Sequence, residues 1–418
     1  MRIRLLLLAA LAAPAACPQS VAKEVNKDLP PWLRFGGEYR ARVEAFDGIG
    51  FRDASDTHFL NRVRLNLKVQ PAPWFKLFFQ GQDARIWGND PARVPSAPPY
   101  KNAMDLRQGY LELGDPDAKT FGLRAGRQEL VFGEQRLIGH TSWSNTARTF
   151  DAVRATVNYR DIRLDAFAAT VVNIRDGGFD RPVAGNNFHG LYGSAGKLVP
   201  RSVVEAYALW RVAPNLNFYT FGTRWAGKLP AGFDYGLEMA AQTGTYAHLD
   251  MRAWAGHWQF GYTLPAAPAL KPRLIAEYNY ATGDQGDGRR RTFDSLYPTP
   301  HGKYGLTDQV GWRNIHDLRY GIELKPRPVW TLLANYHNWW RASARDGLYN
   351  AAGALTVQPR NIASRHIGQE VDLDALWTVT THTQVGAGIG HLFPGAFLKQ
   401  ATPGHSFTYP YLLLNYIF

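Results

Sequence analysis

The sequence predicts an all-β protein, a transmembrane up-and-down antiparallel β-barrel of about 18 strands with short periplasmic turns and long extracellular loops. Three observations lead to this prediction. Most of the chain alternates apolar and polar residues with a period of two, the connections alternate in length, and the N-terminal segment indicates export. No later stretch approaches the ~18 continuous apolar residues of a membrane-spanning helix. Strands must therefore make any membrane crossing.

The N-terminal segment MRIRLLLLAALAAPAAC has the order of a secretory signal peptide, with arginines, a short apolar run and then small residues. We expect cleavage after Ala22, with Ala15 as the alternative. Residues 1–22 are then a cleaved signal peptide and residues 23–418 form a single barrel domain. Cys17 is the only cysteine and leaves with the signal, which excludes disulfides and thiolate metal sites in the mature chain.

Alternating segments follow one another from Trp32 to the C-terminus. In NRVRLNLKV, apolar residues such as Val63 and Leu65 share one face, while Arg62 and Arg64 share the other. DLRYGIELK, RLIAEYNY and QEVDLDALW repeat this pattern. The predicted strands cover residues 32–45, 59–70, 75–86, 105–114, 121–132, 151–159, 162–172, 188–198, 202–211, 218–228, 234–242, 251–263, 273–282, 317–325, 330–340, 369–380, 382–392 and 405–418.

The connections between these segments alternate between short and long, which favours a membrane barrel over a secreted sandwich or propeller. The predicted short turns are 71–74, 115–119, 160–161, 200–201, 326–328 and a turn near 381. The predicted long loops are 46–58, 87–104, 133–150, 173–187, 283–316 and 341–368. The connection near 213–217 is short and breaks the rule. An even number of strands places both termini in the periplasm.

The charged faces are predicted to line the lumen, because an arginine facing lipid at mid-membrane costs about 2–4 kcal/mol. About eighteen strands enclose a water-filled channel. Pairing across strands or simple solvation is the alternative explanation for any single charge. The chain has a formal net charge of +12, and the charged faces are net basic in the first half, which favours anion passage. The candidate pore-lining residues from this pattern are Arg40, Arg62, Arg64, Lys68, Arg127, Glu129, Arg154, Arg319, Glu370, Asp372 and Asp374.

Two long blocks resemble the alginate-export outer-membrane channel family, whose members are eighteen-stranded barrels. One contains FFQGQDARIWG followed by LRAGRQELVFGEQRLIGHTSWSNTARTFDAVR, and the other is YATGDQGDGRRRTFDSLYPTPHGKYGLTDQVGWRNIHDLRYG. The resemblance spans nearly the whole mature chain and implies a polyuronate secretion pore with an arginine-rich constriction. Residues of the first block that we expect to shape this constriction are Arg127, Glu129, Arg136, Arg148 and Arg154. Trp143 lies in the same block, in a long loop, and could fold inward over the pore.

The predicted function is a passive outer-membrane channel with a net basic lumen, exporting an anionic polysaccharide such as an alginate-like polyuronate. A general or solute-selective uptake porin for small anions is the alternative, and a structural or adhesive barrel is a remote one. Expected partners are outer-membrane lipids, the transported anion and periplasmic export components, without nucleic acid. We predict no enzyme, since no nucleophile motif such as G-x-S-x-G is present.

No cofactor is predicted, although the loop DQGDGRRR raises the alternative of calcium near Asp284 and Asp287. Its spacing departs from a calcium loop, and the arginines that follow oppose a cation.

The C-terminal strand, YPYLLLNYIF, ends the chain on an aromatic residue. We expect it to close the barrel against the first strand, because an open sheet edge is not tolerated in lipid. Its alternate residues also resemble the assembly signal read by the barrel insertion machinery, a further expected partner. These residues are Leu412, Leu414, Tyr416 and Phe418.

Overall fold

Eighteen strands form one closed antiparallel sheet in the computed structural model, which describes residues 21–115, 120–265 and 269–418. The barrel strands are β1 (Leu33–Asp47), β2 (Ser55–Ala72), β3 (Phe75–Trp87), β4 (Asn102–Gly114), β5 (Phe121–Gln128), β6 (Phe150–Tyr159), β7 (Ile162–Asn173), β8 (Arg181–Ala195), β9 (Ser202–Ala213), β10 (Leu216–Lys228), β11 (Phe233–Tyr246), β12 (Leu249–Thr263), β13 (Arg273–Ala281), β14 (Ile315–Leu324), β15 (Trp330–Trp340), β18 (His366–Thr378), β19 (Thr383–Pro394) and β20 (Phe407–Ile417). The predicted fold class is confirmed, and every predicted strand overlaps one of these.

Several smaller elements of the described chain are not part of the 18-stranded sheet. β16 (Leu348–Tyr349) and β17 (Leu355–Val357) form a hairpin within the loop that follows β15, and helix α2 (Ala396–Ala401) lies between β19 and β20. Helix α1 (Val21–Lys27) precedes the first strand. None of the helices in the described part of the chain is long and apolar enough to cross a membrane. Residues 1–20 of the predicted signal peptide lie outside the described residues.

The barrel closes where β1 pairs with both β2 and β20. Phe418 completes this seam, since its backbone N–H donates to the carbonyl oxygen of Gly37 at 3.0 Å and its own carbonyl accepts from Gly37 at 2.7 Å. A Cβ atom on Gly37 would come within 2.5 Å of the Phe418 ring, so glycine is required there. Leu412 is 42% exposed on the outer face. The last strand therefore closes the sheet, while its role as an assembly signal stays a prediction.

The two ends of the barrel differ in loop length, as predicted. One end has turns such as the two-residue connection 160–161, and β1 begins and β20 ends there. The opposite end, called here the long-loop end, carries the connections 88–101, 129–149, 282–314 and 341–365. Short turns at 214–215 and 247–248 also occur at the long-loop end, so the alternation has two exceptions rather than the single predicted one. Most of the predicted turn 115–119 lies outside the described residues.

The outer surface of the wall is apolar, and much of the inside is filled by protein. Outward-facing residues such as Leu65, Tyr320 and Leu373 are 48%, 56% and 53% exposed. An apolar belt of this kind faces lipid in membrane barrels. Inside, two long connections fold into the lumen. They are called here the inner loop (residues 129–149) and the second loop (residues 282–314).

Candidate functional site

The inner faces of β1 and β2 carry arginine side chains near the middle of the barrel. Arg40 and Arg42 on β1 and Arg62 and Arg64 on β2 are buried, whereas Leu65 on the opposite face is exposed. Arg40 and Arg62 are direct cross-strand partners. Because successive side chains point to opposite faces of a strand, all four arginines point into the barrel.

Arg107 on β4 joins this group, although the sequence pattern places it on the outer face. Gln80 pairs with Gln108 and Gly81 with Leu106, so Arg107 is the extra residue of a β-bulge. The bulge turns both Arg107 and Gln108 inward, and both are buried. The available signal was an arginine on the same predicted face as Leu111 and Leu113, where contact with lipid is costly. Arg40, Arg42, Arg62, Arg64 and Arg107 are called here the guanidinium cluster.

The guanidinium cluster donates hydrogen bonds to backbone carbonyl groups of the inner loop. Arg40 donates to the carbonyl oxygens of Ser142, Trp143 and Ser144 at 2.8, 3.0 and 3.0 Å. Arg42 donates to the same Trp143 oxygen at 2.7 Å. Three consecutive carbonyl oxygens therefore lie among the arginines, where they accept charge-assisted hydrogen bonds.

Positive charge exceeds negative charge in this region. Within the described part of the chain, three carboxylates pair with the five guanidinium groups, those of Glu38, Glu44 and Glu129. Glu129 lies in the inner loop, and although burial opposes its ionisation, Arg107 outweighs burial and lowers its pKa. The Nη2 atom of Arg64 is buried without a hydrogen-bond partner among the described residues. The cluster thus retains a surplus of cationic donors.

The second loop packs against the inner loop deep in the lumen. The backbone N–H of Gly139 donates to the Tyr297 carbonyl at 2.8 Å, and the Tyr297 N–H donates to the Leu137 carbonyl at 2.9 Å. Trp143 lies inside the barrel, as the sequence allows, with the His301 ring stacked at 4.1 Å and Arg42 over its ring. A cavity of about 370 Å³ lies beside this stack and is also lined by Tyr100.

A buried ionic network ties both loops to the wall formed by β12–β14. Arg136 of the inner loop donates to Glu277 at 3.2 Å and to the Tyr304 hydroxyl of the second loop at 3.2 Å. Arg319, one of the predicted pore-lining residues, donates to the other oxygen of Glu277 at 2.8 Å. Lys303 lies close by, and burial, reinforced by repulsion from Arg136, lowers its pKa to about 8. Arg136 and Arg319 therefore act as anchors for the loops.

Glu134 supports the same arrangement from the inner loop. It accepts a hydrogen bond from Arg224 at 2.9 Å. Burial opposes its ionisation, but Arg136 and Arg224 outweigh burial and lower the pKa of Glu134 to about 2. Glu134 is thus an ionised carboxylate near neutral pH, paired with Arg224.

The other arginines expected to shape the constriction lie away from the guanidinium cluster. Arg148 donates to the Pro298 carbonyl of the second loop at 3.0 Å. Arg127 pairs with Asp151 at 2.8 Å, and Arg154 pairs with Asp165 at 2.9 Å. Each of these guanidinium groups thus has a protein partner, and the structure does not bring them together with Arg40, Arg62 and Arg64. Their place in a constriction stays a prediction.

The acidic row of β18 lies beneath the second loop. Glu370 accepts from the backbone N–H of Thr307 at 2.9 Å, and Asp372 accepts from that of Leu306 at 3.3 Å. Asp374 accepts from the Tyr411 hydroxyl at 2.7 Å. Glu370 and Asp372 are almost fully buried, so they hold the loop rather than face an open passage. Lys68 is half-buried on the inner face of β2, opposite Arg34, and lies apart from this row.

Aromatic side chains on the inner faces of β6–β8 form an apolar patch, called here the apolar wall, in contrast to the arginines of β1, β2 and β4. Phe150, Phe167 and Phe188 are buried there. Their rings lie against each other and against Tyr297 of the second loop, with centroids 5.0–6.3 Å apart. Phe132 of the inner loop stacks on Tyr192 at 4.6 Å. Both loops therefore bury apolar side chains against this wall.

Asp284 and Asp287, near which calcium was the predicted alternative, lie beside arginine side chains. Arg291 donates to Asp287 at 2.8 Å, and Arg290 lies 3.8 Å from Asp284. No group of three or more His, Cys, Asp or Glu residues suited to a metal ion occurs in the described ranges.

Comparison with known proteins gives one family and many similar folds. The family model described as alginate export matches residues 31–410. None of the curated proteins compared with the chain matches it in sequence.

Several solved Pseudomonas aeruginosa structures share the fold. OccK9 (OpdG) superposes with a TM-score of 0.67 at 12% identity, covering 92% of this chain and 98% of its own. The outer membrane protein opdK gives 0.65 at 10% identity, covering 92% and 98%. OccK5 (OpdH) gives 0.64 at 12% identity, covering 92% and 97%. At such low identity these likenesses concern the fold alone.

Proposed function

Because this chain belongs to the alginate export family and is an outer-membrane β-barrel, we propose that it is a passive channel for anionic solutes. Its first candidate cargo is an anionic polysaccharide of the polyuronate type, moving outward. The observation that carries the proposal is the guanidinium cluster, in which five arginines face three carboxylates near the middle of the lumen.

The chemistry of the cluster suits carboxylates. A guanidinium group offers donors in a fixed fork that matches the two oxygens of a carboxylate. In the protein alone, the carbonyl oxygens of Ser142, Trp143 and Ser144 take up part of this donor capacity. Neutral carbonyl groups are weaker acceptors than carboxylates, so a passing uronate unit competes well for the same donors.

The second candidate function is uptake of small anions, and the filling of the lumen favours it. The inner loop and the second loop both pack inside the barrel, where the Gly139–Tyr297 and Arg148–Pro298 hydrogen bonds join them. A narrowed lumen selects small or thin solutes. A passive pore carries its solute down whichever gradient exists, so both directions use the same residues.

Ion selectivity in planar lipid bilayers tests the proposal. We expect reversal potentials under a salt gradient to show preference for anions. The double variant R62Q/R64Q should reduce this preference, because it removes two charges where the solute passes nearest. The variant R273Q is a matched control, since Arg273 faces the lumen at the short-turn end of β13 and is neutralised by Asp234 at 2.6 and 2.8 Å. Unchanged reversal potentials in R62Q/R64Q would contradict an anion-selective cluster.

Block of the current separates the two candidate cargoes. Uronate oligomers added on the periplasmic side should interrupt the current at lower concentrations than the monomeric uronic acid, because several carboxylates meet the arginines in turn. Equal block by monomer and oligomer supports the small-anion porin instead.

A further inference from the structure

A group of aromatic and cationic residues lies on the outside of the barrel at the long-loop end. It is called here the rim shelf and consists of Tyr278, Tyr280, His316, Trp340 and Arg365. The strand residues of the shelf alternate with inward-facing residues that are fully buried, namely Asn279, Asp317 and Trp339. The shelf side chains therefore point away from the lumen.

The guanidinium group of Arg365 is held in one orientation. Its Nε donates to the Arg341 carbonyl at 2.7 Å, and its Nη2 donates to the Ala342 carbonyl at 2.8 Å. The backbone N–H of Arg341 donates in turn to the Arg365 carbonyl at 2.8 Å. An arginine fixed in this way loses little conformational freedom when it binds a ligand.

His316 extends this arrangement along the shelf. Arg365 Nη2 donates to His316 Nε2 at 2.9 Å, so the neutral imidazole carries its proton on Nδ1 and donates to the Tyr278 hydroxyl oxygen at 2.8 Å. Within the described ranges, Arg365 forms no ion pair with a carboxylate, and its Nη1 atom has no hydrogen-bond partner. One fork of the guanidinium thus remains available on the outer surface.

The shelf continues into an apolar strip. A cavity of about 340 Å³ is lined by Tyr278, His316, Leu318, Trp340 and Arg365. Leu318, Tyr320 and Ile322 follow on the same face of β14, and they are 36%, 56% and 36% exposed. A cation, an aromatic surface and an apolar strip therefore succeed one another from the rim toward the middle of the membrane.

We propose that the rim shelf binds a membrane lipid whose headgroup carries phosphate, in the leaflet at the long-loop end. The Nη1 side of Arg365 donates to a phosphate oxygen, the aromatic rings of Tyr278 and Trp340 lie at headgroup level, and an acyl chain lies along Leu318 and Ile322. Charge complementarity and the direct continuation into lipid-facing surface favour this occupant over a soluble anion, which would use the cation alone.

A second aromatic shelf lacks the cation. His189 lies 5.2 Å from Trp210, which stacks on Tyr219 at 5.6 Å. The described residues that line the cavity beside it, about 590 Å³ in volume, include neither Lys nor Arg. Both shelves contain histidine, tryptophan and tyrosine side chains and lie near the long-loop end. The presence of Arg365 is therefore the difference between them that bears on lipid binding.

Retention of lipid by the purified full-length barrel tests the proposal. The barrel is exchanged from nanodiscs of phosphatidylcholine with a small fraction of diphosphorylated lipid A into detergent, and the lipid retained is counted by native mass spectrometry. We expect R365Q to retain about fivefold less lipid A than the wild type, as for the loss of one cation near an anionic surface. R252Q is the matched control, since Arg252 is exposed at the same end and already pairs with Asp250 at 3.2 Å.

Further arms decide between the outcomes. R365K keeps the charge without the fork and should fall between R365Q and the wild type, which also shows that the loss does not arise from misfolding. Equal retention by R365Q and the wild type overturns the proposal. Equal retention of dephosphorylated lipid A, or complete displacement of lipid A by millimolar inorganic phosphate, overturns it as well. A conductance of R365Q equal to that of the wild type in phosphatidylcholine confirms an intact channel.

Discussion

The inner loop touches two different walls of one barrel and is held by each in a different way. At Ser142–Ser144 it meets the guanidinium cluster, where backbone carbonyl groups accept hydrogen bonds from Arg40 and Arg42. At Phe132 it meets the apolar wall, where the ring stacks on Tyr192. The same segment therefore combines an exchangeable polar contact with a packed apolar one.

The difference indicates where the lumen is able to adapt. Water or a passing anion can replace a carbonyl group beside an arginine at small net cost, because such hydrogen bonds are exchanged rather than lost. Nothing replaces a ring removed from a close-packed core without leaving a cavity. We therefore regard the apolar wall as the fixed support of the loops, and we propose that solutes pass along the side that carries the guanidinium cluster.

Truncation of the apolar wall should have the largest effect. Phe188 is fully buried against Phe150, Phe167 and Tyr297, so F188A should lower the free energy of unfolding by about 3–5 kcal/mol. Urea unfolding of the barrel in lipid bilayers measures this change. The control is F221A, because Phe221 is 50% exposed on the outer face of β10. Equal losses in both variants would contradict a packed core inside the lumen.

Removal of one arginine from the cluster should act locally and less strongly. R40Q weakens the hydrogen bonds to three carbonyl groups, but water can replace the lost donors, so we expect a net loss of about 1.5–3 kcal/mol in all. We expect faster amide hydrogen exchange in residues 141–146 and a higher conductance, with little change in global unfolding. R34Q is the control, since Arg34 donates to the Pro30 and Leu33 carbonyl groups near the start of β1. Unchanged exchange in R40Q would show that the guanidinium cluster does not hold the loop.

The smallest expected effect is a pH dependence of the second loop. Lys303 has a pKa of about 8 in the folded protein, lowered by burial and by Arg136, against 10.5 ordinarily. Between these values the unfolded segment binds more protons than the folded one, so the stability of the loop should rise from pH 8 to about 10.5 and then level off. Hydrogen exchange of residues 282–314 across this range measures the effect. K303M should abolish the dependence, and a stability that falls with rising pH in the wild type would refute the burial of Lys303.

Local patterns predict the wall of this barrel well, while the contents of the lumen depend on contacts between distant residues. The alternation in NRVRLNLKV places Arg62 and Arg64 on the inner face because the period of two is a property of any strand. The same rule fails at Arg107, where a β-bulge changes the phase. Nothing in the local sequence shows that Glu370 will accept a hydrogen bond from Thr307, since the two residues lie 63 positions apart.

The predicted pore-lining arginines lie in separate regions of the structure for the same reason. Arg40, Arg62 and Arg64 share one region because their strands are neighbours in sequence. Arg136 and Arg148 belong to a loop whose path is fixed by Glu277 and by the Pro298 carbonyl, at separations of 141 and 150 residues. The family resemblance predicts which block of sequence shapes a constriction, but the individual partners of each arginine come from the tertiary structure.

The seam between β1 and β20 has a kinetic consequence. The other barrel pairings join strands that follow one another along the chain, whereas the seam joins residues such as Glu44 and Tyr409, which are 365 positions apart. Hairpins can form in succession at low entropic cost, but ring closure requires the first and last strands to meet. The contacts between residues most distant in sequence thus lie in this one seam. We expect the rate at which the sheet closes into a ring to depend on the few residues around Gly37 and Phe418.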